Sequence, residues 1–251
     1  MIRQLGLGHS ESKNPRIARR VEFPQDPHML LSSADLAAHI DQTLILPDAT
    51  ADEVRKLCDD AMRSRFACVC VNPCRVLLAH HHLIESDVKV CAMVSFPLGA
   101  TDSEIKAHEA ELAIDLGAQE IEVVLNLGFL KDGSDKAVLG ELRGVVEAAQ
   151  EILVKAVIEP SRLSLAERGR AASLIIESGA RMLVLGTGYY GTSPAEVSIW
   201  REIVGNKMEI KVAGSIRDFE TALPLIEAGA NRIGTTEGVS ILQAYENAQK
   251  G

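Results

Sequence analysis

The sequence predicts an α/β fold, a TIM (β/α)8 barrel that forms a single domain. Short β-branched runs alternate with amphipathic stretches eight times along the 251 residues. These units occupy roughly 215 residues, a length typical of such a barrel. No Gly-x-Gly-x-x-Gly follows the first predicted strand, which argues against the alternative, a doubly wound open sheet.

The predicted strands are apolar runs of four to nine residues, bounded by polar or glycine-containing segments. In order they cover residues 39–46, 66–72, 88–96, 120–127, 154–160, 181–187, 209–215 and 232–235. Residues 1–32 are polar and irregular, with prolines at positions 15, 24 and 27. We therefore predict an N-terminal extension over 1–32 and the barrel over 33–251.

The helices are predicted from apolar residues that recur with helical spacing between these strands. They cover residues 51–64, 102–116, 136–153, 165–178, 194–204 and 219–228. Their N-caps are expected at Thr50, Thr101, Ser164 and Ser193. The glycines at helix ends are expected at Gly117, Gly179 and Gly229.

Composition narrows the class of partner. The chain carries 35 acidic and 26 basic residues, a formal net charge of -9, which disfavours nucleic acid and anionic membranes as partners. No apolar stretch approaches the roughly 18 to 20 residues needed to span a bilayer, so the sequence predicts a cytoplasmic protein. The five cysteines are spread through predicted strands and helices and do not suggest a disulfide framework.

Two groups of residues invite a metal-site interpretation, and the sequence favours it in neither. Cys68 and Cys70 alternate within a strand, Cys74 follows, and no matching Cys/His pair comes later. His80, His81 and His82 are consecutive in a predicted helix and therefore point in different directions. We expect no metal and no cofactor.

Lys211 is the most informative single residue, because it lies inside an apolar strand where a lone ammonium ion would be costly. Strand side chains alternate between the two faces of a sheet, so parity identifies other polar residues directed into the barrel. These residues are Asp41, Cys70, Glu122, Asn126, Lys155 and Glu159. Together they predict a polar pocket at the carboxyl ends of the strands, although any single member could instead be a plug at a barrel mouth.

A phosphate site is predicted separately. The loops after strands seven and eight of such barrels often bind phosphate, together with a helix N-terminus. The candidate residues are Thr187, Gly188, Gly214, Ser215, Gly234, Thr235 and Thr236. Glycines at these positions are equally compatible with tight turns alone. The prediction of a phosphorylated small molecule as partner therefore depends on where these residues lie in the fold.

Six segments carry a resemblance to a known family. They are AHIDQTL at 38–44, VCVNP at 69–73, VSFPLG at 94–99, EIEVVLN at 120–126, KAVIE at 155–159 and KVAGSIR at 211–217. In this order and spacing they resemble the deoxyribose-phosphate aldolase family, over residues 35–240. The resemblance implies a class I aldolase that cleaves 2-deoxyribose 5-phosphate to acetaldehyde and glyceraldehyde 3-phosphate through a Schiff base.

The resemblance also implies two lysines, a nucleophile on strand six and a helper on strand seven that lowers its pKa. Lys211 matches the helper, and Val184 occupies the nucleophile position, where a valine cannot form an imine. Without its neighbouring cation, Lys211 should have a less depressed pKa unless burial compensates. Glu122 replaces the family's aspartate, Gln42 a common histidine, and Ser215 the second glycine of a pair.

Three functions therefore stay open. The first is a carbon–carbon lyase on a phosphorylated sugar or aldehyde, with an imine formed on Lys211 or Lys155. The second is acid/base chemistry without an imine by Glu122, Glu159 and Lys211, for example isomerisation or enolisation. The third is a non-catalytic descendant that binds a metabolite. Barrels of the family often pair, so a homodimer stays open, with no interface legible in the sequence.

Overall fold

A computed structural model describes residues 32–188 and 190–249. Within them, eight parallel strands close into a barrel in which each strand pairs with its neighbours in the chain and β8 pairs with β1. The strands are β1 Ile40–Leu44, β2 Cys68–Val71, β3 Lys89–Val94, β4 Glu120–Val124, β5 Leu153–Ile158, β6 Met182–Leu185, β7 Glu209–Ala213 and β8 Arg232–Thr235. The predicted (β/α)8 barrel is thus confirmed.

Ten α-helices accompany the strands in this part of the chain. They are α1 Ser33–Ala38, α2 Ala51–Ser64, α3 Val76–Leu83, α4 Ser103–Asp115, α5 Leu127–Lys131, α6 Asp135–Ala149, α7 Leu165–Ser178, α8 Pro194–Val204, α9 Phe219–Glu227 and α10 Gly238–Ala248. The predicted bounds of α2, α7 and α8 agree with the structure. The extension predicted over 1–32 lies, apart from Ser32, outside the described residues.

Several helices begin at a residue whose side chain caps the first turn. Thr50 and Ser164 each form a reciprocal capping box with a glutamate three residues later. The cap predicted at Thr101 is wrong, because the Asp102 side chain accepts from the backbone N–H of Glu104 instead. Asn126 likewise caps α5, a helix that the sequence did not predict and whose first residue, Leu127, was assigned to the fourth strand.

The barrel has two apolar layers. The larger lies between the strands and the surrounding helices and includes Trp200, Ile121 and Leu142. A smaller cluster fills the barrel interior with Cys68, Cys70, Cys91, Met93, Val124, Val157 and Val184. Charged residues occupy several other interior positions, and they form the centre of the candidate site.

The described cysteines are unpaired, as the odd count and spacing predicted. Among the helices within residues 32–188 and 190–249, none combines the length and apolar character needed to cross a membrane.

Candidate active site

The centre of the barrel holds a closed cluster of charges. Lys155 on β5 is fully buried, and its Nζ lies 2.9 Å from Asp41 Oδ2, 2.7 Å from Glu120 Oε2 and 3.0 Å from Glu122 Oε1. Parallel pairing brings these side chains together, because Glu122 and Lys155 are neighbours in the register of β4 and β5. An ammonium ion in this position is fully surrounded by carboxylates.

Lys211 joins the same cluster from β7. Its Nζ lies 2.6 Å from Glu122 Oε1 and 2.9 Å from Asp41 Oδ2, and the residue is 1% exposed. Arg232 on β8 completes the group, with a guanidinium nitrogen 2.8 Å from Asp41 Oδ1 and another 3.2 Å from Glu120 Oε1. The carboxylates of Asp41, Glu120 and Glu122 are therefore balanced by Lys155, Lys211 and Arg232.

Mutual attraction outweighs desolvation in this cluster. Burial by itself would raise the pKa of Asp41, but Lys155, Lys211 and Arg232 hold it well below its ordinary value. Burial by itself would lower the pKa of Lys211, but Asp41 and Glu122 raise it well above its ordinary value. The pKa of Lys155 is raised in the same way, chiefly by Asp41 against the effect of burial. Both lysines are ammonium ions at neutral pH.

Gly234 makes room for the Lys211 side chain. A Cβ at position 234 would lie 2.8 Å from Lys211 Cε and 3.4 Å from its Nζ. Gly234 was predicted as a phosphate-binding residue, and its lack of a side chain has this second, steric explanation. A larger residue at position 234 would collide with the end of the Lys211 side chain, whose place is already fixed by its ion pairs.

Position 184 is apolar in side chain and surroundings. Val184 on β6 is the register partner of Val157 on β5 and of Lys211 on β7. It is 1% exposed and belongs to the interior cluster that contains Cys70 and Met93. The nitrogen atoms of Lys155 and Lys211 are directed instead to the carboxylates of β1 and β4.

Two sets of buried residues have metal-ligand atoms close together, and neither suits a metal ion. One set is Cys70, Cys91 and Glu122, and the other is Asp41, Cys68 and Glu120. Their carboxylates already pair with ammonium or guanidinium groups. Burial raises the pKa of Cys68 and of Cys91 well above the ordinary value, so both thiols stay protonated and are poor ligands. The expectation that no metal binds here stays a prediction.

A pocket with a volume of about 280 Å³ opens above the charge cluster, at the carboxyl ends of the strands. Cys70, Glu122 and Lys211 line its base. All seven predicted phosphate-site residues line the pocket: Gly234 lies beside Lys211, and Thr187, Gly188, Gly214, Ser215, Thr235 and Thr236 surround the mouth. The structure thus places the predicted catalytic and phosphate-site groups around one cavity, with Asp41 and Lys155 beneath it and Glu159 apart.

Several of these mouth residues are fixed by internal hydrogen bonds. The Thr235 hydroxyl donates to the Ile216 carbonyl and accepts from the backbone N–H of Glu237, which ties the loops after β7 and β8 together. Gln42 reaches the same loop: its Nε2 donates to the Thr236 carbonyl, and its Oε1 accepts from the backbone N–H of Gly238. The hydroxyl of Thr235 is therefore a structural group, and Gln42 positions the start of α10.

Glu159 lies apart from the charge cluster, although the sequence analysis grouped it there. Its Oε2 accepts from both the backbone N–H and the hydroxyl of Thr187, at 3.2 and 3.0 Å, and its Oε1 accepts from Ser161. Glu159 follows the end of β5, so its side chain reaches the loop after β6 and not the barrel centre. It orders the Thr187 loop.

Three functional candidates were missed. Glu120 has the same strand parity as Glu122, and Arg232 has the same parity as Gly234, so the alternation rule alone would have found both. Each was overlooked because it stands at the start of a strand. Arg217 is exposed at the pocket mouth, and its position as the last residue of the strand-seven motif was the available signal.

Comparison with known proteins identifies the family of this chain. The sequence profile described as DeoC/LacD family aldolase matches residues 36–244. A deoxyribose-phosphate aldolase from Thermococcus gammatolerans is 44% identical over 86% of this chain and 98% of that protein. A deoxyribose-phosphate aldolase from a Geobacillus species is 43% identical over 83% of this chain and 95% of that protein.

Solved structures give the same result. The structure described as QR15, an aldolase, superposes with a TM-score of 0.82 at 33% identity, over 86% of this chain and 98% of its own. A tetrameric deoxyribose-phosphate aldolase from Aeropyrum pernix superposes with a TM-score of 0.81 at 30% identity, over 86% and 93%. The family profile, the relatives and the shared barrel agree, and this chain belongs to the DeoC/LacD family of aldolases.

Proposed function

We propose that this protein is a carbon–carbon lyase that acts on a small phosphorylated sugar or aldehyde without an imine at position 184. The observation that carries the proposal is the state of Lys211, an ammonium ion paired with Asp41 and Glu122 at the base of the pocket. Such a group can stabilise negative charge but cannot attack a carbonyl. The relatives named deoxyribose-phosphate aldolase support the substrate class.

An imine on either remaining interior lysine is disfavoured by the same geometry. An amine must lose its proton before it attacks, and the pKa values of Lys155 and Lys211 are both raised well above the ordinary value. Lys155 is also fully buried and lies beneath the pocket. Of the functions left open by the sequence, those without an imine agree better with these contacts.

Lys211 and Glu122 can supply the two groups that a retro-aldol cleavage requires. Glu122 accepts the proton of the substrate's β-hydroxyl as the carbon–carbon bond breaks, and the electron pair moves to the substrate carbonyl oxygen. The carbon that carried the β-hydroxyl leaves as an aldehyde. The ammonium group of Lys211 stabilises the enolate that remains, and this enolate takes back the proton held by Glu122 to give the second carbonyl product. A donor aimed at developing negative charge typically contributes a hundredfold to a thousandfold in rate, or about 3–4 kcal/mol.

The pocket mouth supports recognition of a phosphate. Gly188, Gly214 and Ser215 line it with backbone groups from the loops after β6 and β7. Arg217 adds a positive charge, and α10 begins at Gly238, close to Thr236. A helix N-terminus and an arginine both favour an anion at this place in a barrel.

The main competing function is metabolite binding without turnover. Val184 favours it, since the interior position that carries the nucleophile in the resembled family is filled by packed apolar groups. A third possibility keeps the acid/base groups but uses them for isomerisation or enolisation, with no bond cleavage. All of these share the phosphate-binding mouth, so an assay must separate binding from bond cleavage.

The decisive experiment measures cleavage of 2-deoxyribose 5-phosphate alongside borohydride trapping with acetaldehyde and mass spectrometry. We expect turnover by the natural chain with no lysine adduct. Lys211→Met should lower turnover by about a hundredfold or more, while Lys207→Met, an exposed lysine, should not. A trapped adduct on the natural chain would contradict the proposal, and so would full activity in Lys211→Met.

Val184→Lys tests how much of the pocket is retained. If the rest of the site is intact, the new amine should give a trapped acetaldehyde adduct and faster cleavage than the natural chain. Thermal stabilisation by the sugar phosphate without turnover, by contrast, would favour the non-catalytic function. Sugar isomerisation without cleavage would favour the acid/base alternative.

A further inference from the structure

A second cavity adjoins the pocket that contains Lys211. It has a volume of about 440 Å³ and lies at the carboxyl ends of the strands, on the side of β4, β5 and β6. Val157 and Thr187 line both cavities, so they form the common wall. The size is within the usual range for a small-molecule site.

The lining of this second cavity is largely apolar. Leu98, Val124, Leu127 and Ile158 contribute hydrocarbon surface, and Tyr190 closes one side. Leu98 is 79% exposed at the edge of this cavity. Its side chain is therefore available for contact with an apolar group that enters the cavity.

Valine in place of a lysine at position 184 makes the apolar surface inside the barrel continuous. Val124, Val157 and Val184 are register neighbours across β4, β5 and β6 and pack in one interior cluster. A lysine at position 184 would interrupt this row with an amine. With valine there, hydrocarbon extends from the barrel interior to the wall shared by the two cavities.

Two polar contacts within the protein lie beside the cavity. Arg162 donates to the Tyr190 hydroxyl at 2.7 Å and lies over its ring at 5.4 Å from the centroid. Glu159 accepts two hydrogen bonds from Thr187, which fixes the shared wall. A hydrocarbon group in this cavity would leave these bonds intact.

We infer that the natural ligand is a phosphate monoester with an apolar extension: the phosphate binds at the loops after β6, β7 and β8, and the hydrocarbon end enters the second cavity. The inference rests on the proposed function for the phosphate end and adds the chemistry of the other end. It assigns substrate selection to Leu98, Leu127 and Tyr190.

Binding of ethyl phosphate and octyl phosphate by isothermal titration tests the inference, with octyl phosphate kept below the concentration at which it forms micelles. Both carry the same headgroup, so their ratio isolates the chain. Each buried methylene tightens binding by about fourfold, and burial of only a few predicts that octyl phosphate binds at least about tenfold more tightly. The two ligands should compete for one site.

Leu98→Asn should lower the octyl-to-ethyl affinity ratio by about threefold or more and leave ethyl phosphate binding unchanged. Leu112→Asn is the matched control, because Leu112 is 51% exposed on α4 and does not line the cavity. Equal affinities, non-competitive binding or an unchanged ratio in Leu98→Asn would each overturn the inference while ethyl phosphate still binds. Failure of both ligands to bind would instead remove the phosphate site of the proposed function, and the inference with it.

Discussion

Removal of Lys155 should cost this protein more stability than any typical surface substitution. Lys155→Met keeps most of the side-chain volume but deletes an ammonium group that contacts Asp41, Glu120 and Glu122 at 2.7–3.0 Å. Their charges would then be balanced only by Lys211 and Arg232. Breaking a buried ion pair by removing one partner costs about 3–5 kcal/mol.

That cost can be followed by thermal unfolding. For a chain of this length, each kcal/mol shifts the midpoint by roughly 2–4 °C, so Lys155→Met should unfold about 6–20 °C lower. Lys207→Met serves as the exposed control and should change the midpoint little. Adding Glu120→Gln to Lys155→Met restores the charge balance and should recover part of the loss. A midpoint shift no larger than that of the control would refute the reasoning, and so would a double variant less stable than the single one.

Three further predictions follow from the site. The lowered pKa values of Asp41 and Glu122 stabilise the fold above their unfolded values of 3.8 and 4.5, and this contribution is lost as pH falls through the folded values. The raised pKa of Lys211 stabilises the fold below pH 10.5, and this contribution is lost only as the pH rises above that value. Loss of the carboxylate contribution should therefore make denaturant midpoints fall steeply in acid, and a steep fall between pH 7 and 9 would contradict this. Ser215→Gly should stabilise by about 0.5–1 kcal/mol in denaturant unfolding, because Ser215 has a φ of 58°; a loss of stability would show that its hydroxyl matters more. Gly234→Ala should destabilise by about 1–3 kcal/mol and lower turnover, whereas Gly140→Ala in α6 has open space and should do neither; equal behaviour would mean that Lys211 moves aside freely.

Much of the fold followed from periodicity, and the errors have local physical causes. Helices α2, α7 and α8 had both a cap and a clear amphipathic face, so their bounds could be read directly. Helix α5 was missed because Leu127 continues an apolar run, and only the Asn126 cap distinguishes helix from strand there. The ends of β1, β3 and β4 were predicted too long because apolar residues such as Leu46, Phe96 and Leu125 follow the last residue of the strand.

The sequence predicted which residues form the candidate site better than it predicted the contacts between them. Parity placed Asp41, Glu122, Lys155 and Lys211 on the interior face, as the structure has them. The assignment of Glu159 to the same group failed, since Glu159 comes directly after the last residue of β5 and its side chain meets Thr187. Which carboxylate pairs with which lysine depends on barrel closure, because Asp41 and Lys155 are on strands that do not pair.

The contacts around Lys211 determine when its side chain loses conformational entropy. A lysine side chain has about 2 kcal/mol of rotamer entropy to lose when it is fixed in one arrangement. With Gly234 behind it and Glu122 and Asp41 ahead, Lys211 loses that freedom when the barrel folds. A substrate that enters the pocket therefore meets a positive charge already in place, and no binding event has to order it.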